Sequence, residues 1–176
     1  AILDILRQAG VSATFFVTGL ELAAYPEGGQ ALAAAGHELG NHTYSHHALL
    51  GKSLRFIRQE IEGTDALIRA AGQSGPIYIR PPYAKRLLAL PFYLQQTGRP
   101  AILWDVEPES YPEVAASAEA MVQHVLARAR PGSVILLHVM YPGRAETLRA
   151  APGIIQGLQA RGYRFVTLSE LLAADG

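Results

Sequence analysis

Val134-Ile135-Leu136-Leu137-His138 is the most apolar strand-like run in the chain, and it ends on a histidine. Helical patterns lie on both sides of it, over 114–125 and about 145–160. A short, continuously apolar segment between two helices is typical of a strand that is buried on both faces of a parallel sheet. This run therefore predicts a parallel sheet covered by helices.

The same alternation of strand and helix continues along the rest of the chain. Further strands are predicted at 13–17, 37–40, 77–79, 101–104 and 163–166, with helices over 2–9, 30–35, 54–68, roughly 86–97 and 168–172. Five or six strand–helix units in 176 residues favour a complete or distorted (β/α) barrel over an open Rossmann sheet. We therefore expect residues 1–176 to form a single α/β domain.

The composition excludes several classes of protein. Lysine and arginine together number 15, as do aspartate and glutamate, so the basic excess of a nucleic-acid-binding domain is absent. The sequence has no cysteine, which excludes disulfides, zinc–thiolate sites and cysteine nucleophiles. No apolar run approaches the roughly 20 residues that a transmembrane helix needs. The sequence also lacks a G-x-S-x-G elbow, a P-loop and a dinucleotide-binding glycine motif.

Polar clusters directly follow four of the predicted strands. In a parallel α/β barrel the carboxyl ends of the strands share the face that carries the active site. We therefore expect the four clusters to converge on one cleft. The clusters are Asn41-His42 after 37–40, Arg80-Pro81-Pro82-Tyr83 after 77–79, Asp105 with Glu107 after 101–104, and His138 after 134–137.

His42 and His46 are candidates for a metal site. Histidines four apart project from one side of a helical turn, where they can share a cation. Neutral imidazole suits zinc, cobalt or nickel, and two histidines need at least one more ligand, usually a carboxylate. The alternative is that both are loop residues whose rings bond to the backbone. Their position after a strand, with the other polar clusters, favours the metal.

His138 and Arg80 are candidates for the chemistry beside that metal. His138 follows an apolar run, so we expect it at the bottom of a pocket, where it could serve as general acid or base. The alternative is a core histidine bonded to the backbone. Arg80 precedes two prolines on a rigid turn and could orient a carboxylate through two hydrogen bonds. The alternative for Arg80 is a surface ion pair.

Several of these motifs together resemble the polysaccharide deacetylases, the NodB-homology domains of carbohydrate esterase family 4. Asn41-His42-Thr43-Tyr44-Ser45-His46 resembles their histidine motif, Arg80-Pro81-Pro82-Tyr83 their R-x-P-Y motif, and Leu136-Leu137-His138 their leucine–histidine region. Segments 15–19 and 36–40 are similar to the family's framework. The resemblance covers essentially the whole chain, and the motifs occur in the family's order.

The resemblance implies a distorted (β/α) barrel that removes acetyl groups from N-acetylated sugars, such as chitin oligomers or peptidoglycan glycans. It implies that His42 and His46 bind a divalent metal, zinc ahead of cobalt or nickel, and that His138 protonates the leaving amine. Arg80 would hold the catalytic base, and the Tyr83 backbone N–H would stabilise the oxyanion. Most members act outside the cytoplasm, so a secreted, periplasmic or cell-envelope protein is expected. The expected catalytic residues are His138, Arg80 and Asp105, and the expected substrate contacts are Pro82, Tyr83, Trp104, Tyr111 and Leu136.

The sequence departs from the family pattern in three places. The motif T-F-D-D-G, which supplies the base and the third metal ligand, is absent, so we expect the first strand to be missing from the chain. The D-x-x-D-W motif is replaced by residues 107–111, with Ser110 where an aspartate would support the catalytic histidine. We expect Asp105 or Glu107 to take over that role. Val139 follows His138 in place of the usual aspartate, which predicts a reshaped pocket wall.

Two other functions stay open at this point. One is hydrolysis of a different amide or ester, such as a cyclic amide or acetylated xylan. The other is a catalytically inactive module that binds glycans. An Asp-Asp pair upstream of the chain would favour an enzyme, and its absence there would favour the binding module.

Overall fold

The computed structural model describes residues 1–85 and 88–174. The chain divides into two compact units. The His138 unit comprises residues 1–12 and 104–166, and the His42 unit comprises residues 13–103 and 167–176. In chain order the elements are α1 (Ile2–Ala9), β1 (Thr14–Val17), α2 (Gly19–Ala24), α3 (Pro26–Ala34), β2 (Glu38–Asn41), α4 (Leu54–Ala70), α5 (Ala89–Thr97), α6 (Pro112–Ala115), α7 (Ala118–Arg128), α8 (Ala145–Gln159) and α9 (Leu168–Ala174).

The His42 unit contains a parallel pair of strands. β1 and β2 pair in parallel, with Thr14 opposite Glu38 and Val17 opposite Asn41. Single parallel bridges continue the row from Asn41 to Ile79 and from Ile79 to Ala101. The paired segments therefore lie side by side in the order of the chain, as the strands do in a singly wound α/β fold.

The helix α2 was not expected from the sequence, where the first strand simply ended near Gly19. Thr18 caps this helix, because its hydroxyl accepts the Glu21 N–H at 3.3 Å and donates to the Glu21 carboxylate at 2.9 Å. This reciprocal pair resembles a capping box, whose threonine and glutamate stand three positions apart. The spacing from Thr18 to Glu21 was therefore a sequence signal for the helix.

A buried cluster packs α4 and α5 against the bridge residue Ile79 in the His42 unit. Its aliphatic members on α4 are spaced as on one face of an amphipathic helix, and burial of each such side chain contributes about 1.5–3 kcal/mol. This packing fixes α4, which contacts β2 and lies beside residues 42–46, the histidine loop. The cluster consists of Leu49, Ile57, Ile61, Ile79, Leu90, Tyr93 and Leu94.

The His138 unit has its own core between α7 and α8. Ser117 caps α7 by accepting the Ala120 N–H at 3.1 Å, which divides the single helix predicted over 114–125 into α6 and α7. A parallel bridge joins Val106 to Ile135 beside this helix pair. The buried members of the core are Val106, Met121, Val125, Ala150, Ile154 and Leu158.

Several predicted strands are shorter in the structure than in the sequence interpretation. Segments 101–104 and 134–137 each make a single bridge, 77–79 makes two bridges that both involve Ile79, and 163–166 forms no strand. At 77–79 the reason is that Pro81 and Pro82 follow and have no N–H to continue a ladder. Residues 134–137 are also half-buried, where burial on both faces was expected.

The described residues thus give a mixed α/β fold whose regular strands are β1 and β2, and the barrel stays a prediction. The helix expected over 86–97 begins at Ala89, while its predicted part at 86–87 lies outside the described residues. No helix in the described part of the chain has the length and apolar character that crossing a membrane requires.

Candidate active site

His42 and His46 face each other in the loop that follows β2. Their Nε2 atoms are 3.2 Å apart, and their ring centroids are 4.8 Å apart. The loop is not the helical turn that the spacing suggested, because Thr43 and His46 have left-handed backbones with φ of 69° and 58°. The expected pair is therefore present, but its geometry comes from an irregular loop.

The protonation of the His42 ring follows from its hydrogen bond. His42 Nδ1 lies 2.7 Å from the carbonyl oxygen of Arg80. A carbonyl oxygen only accepts, so Nδ1 carries the proton and Nε2 presents its lone pair toward His46. Histidines that bind metals commonly donate their second ring N–H in this way, which fixes the tautomer and the ring orientation.

The spacing of the two rings fits two ligands of one metal ion. Zinc–nitrogen bonds of about 2.0–2.1 Å at a tetrahedral angle place the two nitrogens roughly 3.3 Å apart, close to the observed 3.2 Å. Within residues 1–85 and 88–174, no group of three or more His, Asp or Glu side chains could hold a metal ion. The described residues thus offer two ligands of the kind that zinc, cobalt or nickel accepts.

Asn41 anchors the start of the histidine loop. Its side chain is fully buried, and its Oδ1 accepts the Thr43 N–H at 2.8 Å. Its Nδ2 donates to the Ile61 carbonyl and to Asp65, each at 2.8 Å. Asp65 in turn binds the Arg99 guanidinium through both oxygens, at 2.6 and 3.1 Å. Because the Asn41 amide bonds through both its oxygen and its nitrogen, the backbone at His42 is held in one place.

The first turn of α2 holds the middle of the same loop. The Gly19 N–H donates to the Thr43 carbonyl at 3.0 Å, and the Leu20 N–H donates to the Tyr44 carbonyl at 2.9 Å. These amides belong to the start of a helix, where N–H groups have no partner inside the helix. The loop carbonyls supply the missing acceptors, so the helix end and the histidine loop stabilise each other.

Arg80 is buried, which excludes the alternative of a surface ion pair. Its Nε and NH2 groups donate to the carbonyls of Ile102 and Leu103, both at 3.1 Å. Its guanidinium also lies over the Phe16 ring, 4.0 Å from the centroid, in a cation–π contact. These contacts fix the side chain, while its role in holding a catalytic base stays a prediction.

Pro82 and Tyr83 form a tight 3-10 turn beside His46. Tyr83 has a left-handed backbone with φ of 59°, and its side chain is 61% exposed. The Tyr83 ring stands edge-on to His46, with centroids 5.2 Å apart. The structure therefore brings the R-x-P-Y turn and the histidine loop together.

His138 pairs with Glu109, which corrects the expectation that Asp105 or Glu107 would do so. Its Nδ1 and backbone N–H both donate to Glu109 Oε2, at 2.5 and 3.0 Å. Thr147 donates to the other carboxylate oxygen at 2.6 Å, and the Glu109 side chain is only 2% exposed. Burial raises the pKa of Glu109, but hydrogen bonds from His138 and Thr147 outweigh it, so the pKa lies below its usual value.

Asp105 and Glu107 bind other partners within the His138 unit. Asp105 accepts the Ser133 hydroxyl and the Val134 N–H, both at 2.7 Å, and so holds the turn before 134–137. Glu107 accepts the Trp104 indole N–H at 3.0 Å and the Ser110 hydroxyl at 2.5 Å. The reason lies in the 3-10 turn Pro108–Ser110, which turns Glu109 inward toward His138.

Tyr111 and Leu136 complete the residues expected to contact the substrate. The Tyr111 ring lies 4.8 Å from the His124 ring and 5.7 Å from the Arg128 guanidinium, and it is partly exposed. Leu136 donates its N–H to the Val106 carbonyl at 2.9 Å. Convergence on one cleft stays a prediction. The His42 unit holds His42, His46, Arg80, Pro82 and Tyr83, and the His138 unit holds Trp104, Asp105, Tyr111, Leu136 and His138.

Comparisons with known proteins match the sequence and the fold of this chain to one family. The sequence profile of the family described as Polysaccharide deacetylase matches residues 1–102. A chitooligosaccharide deacetylase of Bradyrhizobium sp. (strain ANU 289) is 33% identical over 182 residues, covering 97% of this chain and 82% of the relative. This chain belongs to the polysaccharide deacetylase family, carbohydrate esterase family 4.

Two further relatives extend the match. A peptidoglycan-N-acetylglucosamine deacetylase of Bacillus cereus is 34% identical over 171 residues, covering 97% of this chain and 62% of the relative. The chain thus spans less than two thirds of that protein's length. The solved structure of a peptidoglycan deacetylase from Bacillus subtilis superposes with a TM-score of 0.85 at 33% identity, covering 99% of this chain and 82% of that one. The mixed α/β fold is therefore that of the family's solved structures.

Proposed function

We propose that this protein is a metal-dependent hydrolase that removes acetyl groups from the N-acetylated sugars of a glycan of the chitooligosaccharide or peptidoglycan type. The observation that carries the proposal is the His42–His46 pair, with Nε2 atoms 3.2 Å apart and the His42 tautomer set by Arg80. The names of the Bradyrhizobium and Bacillus relatives support the substrate class. Since most members of the family act outside the cytoplasm, we also propose a secreted, periplasmic or cell-envelope location.

The proposed roles follow from the contacts of each residue. His42 and His46 would hold a divalent metal, zinc ahead of cobalt or nickel, which when bound polarises the acetyl carbonyl and acidifies a water. The Tyr83 N–H, on a turn fixed by two prolines, would donate to the oxyanion of the tetrahedral intermediate. Arg80, already fixed by two carbonyls and the Phe16 ring, would orient the catalytic base.

His138 is the proposed general acid for the leaving amine. Glu109 accepts a hydrogen bond from the Nδ1–H group, so Nε2 is the ring atom that would deliver a proton to the amine nitrogen. The buried carboxylate of Glu109 would also stabilise the imidazolium before that proton leaves, as the aspartate does in a Ser-His-Asp triad. Trp104, Tyr111 and Leu136 are proposed to contact the sugar or its acetyl group.

Acetate release by the full-length protein tests this proposal. Chitooligosaccharides, peptidoglycan fragments and acetylxylan would each be incubated with added Zn²⁺, Co²⁺ or Ni²⁺. We expect acetate from one of the first two substrates. His42→Ala should lose metal binding and activity together, while His138→Ala should keep the metal and lower kcat by roughly 10²–10⁴. Acetate from acetylxylan alone would indicate an esterase, and glycan binding without acetate release would indicate an inactive module. Unchanged kcat in His138→Ala would refute the assigned acid.

A further inference from the structure

A buried carboxylate on α4 forms hydrogen bonds to the residue that precedes His46. Glu60 is only 7% exposed, and both of its oxygens accept from Ser45. The Ser45 N–H donates to Oε2 and its hydroxyl donates to Oε1, each at 2.8 Å. Since that hydroxyl donates its hydrogen bond to Glu60, it accepts a hydrogen bond from His47 Nδ1, which lies 2.5 Å away. Glu60 therefore fixes both the backbone and the side chain of Ser45.

Glu60 forms no salt bridge with a lysine or arginine among the residues that the structure describes. A buried carboxylate is costly unless hydrogen bonds satisfy it, and Ser45 supplies two of them. A core position that only needed to be filled would favour an apolar side chain, as at neighbouring Ile57 and Ile61. The placement of a charge here is thus tied to the loop that it binds.

The histidine loop needs such an anchor near His46. Left-handed backbone at a residue other than glycine costs on the order of 1–3 kcal/mol, and it persists only where the surroundings determine it. Thr43 and His46 both adopt it, and Thr43 is β-branched, which makes the conformation less favourable still. Asn41 holds the end of the loop near His42. Glu60 is the corresponding anchor at the end near His46.

We propose that Glu60 is a positioning residue that keeps His46 Nε2 at the distance from His42 Nε2 that a shared metal ion requires. This inference rests on the proposed metal site. Glu60 acts through Ser45 and touches neither the metal nor the substrate. Loss of an outer partner of a metal ligand lowers metal affinity by about 10–100-fold, and we expect an effect of that size.

Cobalt binding by the full-length protein measures this effect without relying on turnover. Co²⁺ titrations followed by absorption would give the Kd and the ligand-field spectrum, and chelator competition would give the Kd for Zn²⁺. Glu60→Ala should raise the Kd by about 10–100-fold and change the cobalt spectrum. Glu60→Gln should restore most of the affinity, since its amide can accept from the Ser45 N–H and donate to the Ser45 hydroxyl. Glu62→Ala is the matched control, because Glu62 is an exposed residue of the same helix paired with Arg58.

The outcomes separate the two proposals. Wild-type Kd and spectrum in a folded Glu60→Ala variant would overturn the positioning role, even if its Tm falls. If Glu60→Ala does not fold, Ser45→Ala decides, because it removes the hydroxyl's bonds to Glu60 and His47, leaves the Ser45 N–H bond to Glu60, and should still raise the Kd. An unchanged Kd in Ser45→Ala would then overturn the role. A wild-type protein that binds Co²⁺ but releases no acetate would refute the proposed function alone, and one that binds no metal would refute both.

Discussion

Replacement of Gly19 by alanine should disturb the histidine loop from the side of α2. A Cβ atom at Gly19 would lie 2.2 Å from Tyr44 Cδ2 and 2.8 Å from Thr64 Oγ1. Ordinary contact begins near 3.4 Å, so the Tyr44 ring would have to move by about 1.2 Å. Tyr44 lies between His42 and His46, and the Gly19 N–H also binds this loop. A shift of Tyr44 should therefore also move His42 and His46, the two proposed metal ligands.

The size of the effect can be worked out from this overlap. Overpacking of a filled site typically costs about 1–3 kcal/mol, while alanine gains about 0.5–1 kcal/mol over glycine in a helix. The net loss of up to about 2.5 kcal/mol corresponds to a Tm lower by up to roughly 10 °C for a chain of this length. We expect the Kd for Co²⁺ to rise by about 10–100-fold, as for loss of an outer partner.

Calorimetry and cobalt titration on Gly19→Ala and Gly28→Ala would test this reasoning. Gly28 is the matched control, since it also lies in a helix but, beyond its chain neighbours and its own helix backbone, nothing lies within 4 Å of the place where its Cβ would lie. Gly28→Ala should raise the free energy of unfolding by about 0.5–1 kcal/mol and leave the Kd unchanged. The reasoning is refuted if Gly19→Ala shows the same Tm gain and the same Kd as Gly28→Ala.

Two other perturbations have expected outcomes. Glu109→Gln keeps the shape but removes the charge beside His138, so kcat should fall by roughly 10²-fold with cobalt affinity unchanged. Exposed Glu113→Gln is its control, and an unchanged kcat in Glu109→Gln would contradict the pairing. Burial lowers the pKa of His37 below its ordinary 6.5, so below that pH the unfolded chain binds a proton that the folded one does not. The free energy of unfolding should therefore decrease from pH 7 to 5. Urea titrations at several pH values should show a smaller decrease in His37→Gln than in the wild type. The same dependence on pH in both proteins would rule this out.

The sequence predicted the alternation of strand and helix along the chain, but not how many residues of each strand pair with a neighbour. The apolar segments at 77–79 and 101–104 do lie side by side, yet one bridge joins them. Apolar character reports that a segment is half-buried or buried, whereas a ladder depends on N–H groups at successive positions. The two prolines after Arg80 were visible in the sequence and should have shortened the expected strand.

The site was predicted only in part, because the spacing of residues along the sequence indicates which side chains lie close together better than it indicates how they are oriented. The spacing of His42 and His46 identified the pair, but a helical turn was the wrong geometry, since left-handed residues are hard to foresee at threonine or histidine. The partner of His138 was missed for a similar reason. Position along the chain favoured Asp105 or Glu107, while the 3-10 turn that brings Glu109 inward depends on the fold around Thr147.

The left-handed residues around His46 and Tyr83 have a consequence for engineering heat resistance. Glycine at Ala84, where φ is 55°, would remove about 1 kcal/mol of backbone strain. A screen that rewards only survival at high temperature would therefore enrich substitutions at the very segments that carry the proposed ligands and oxyanion donor. At these few positions, substitutions that raise thermal stability would therefore tend to lower turnover.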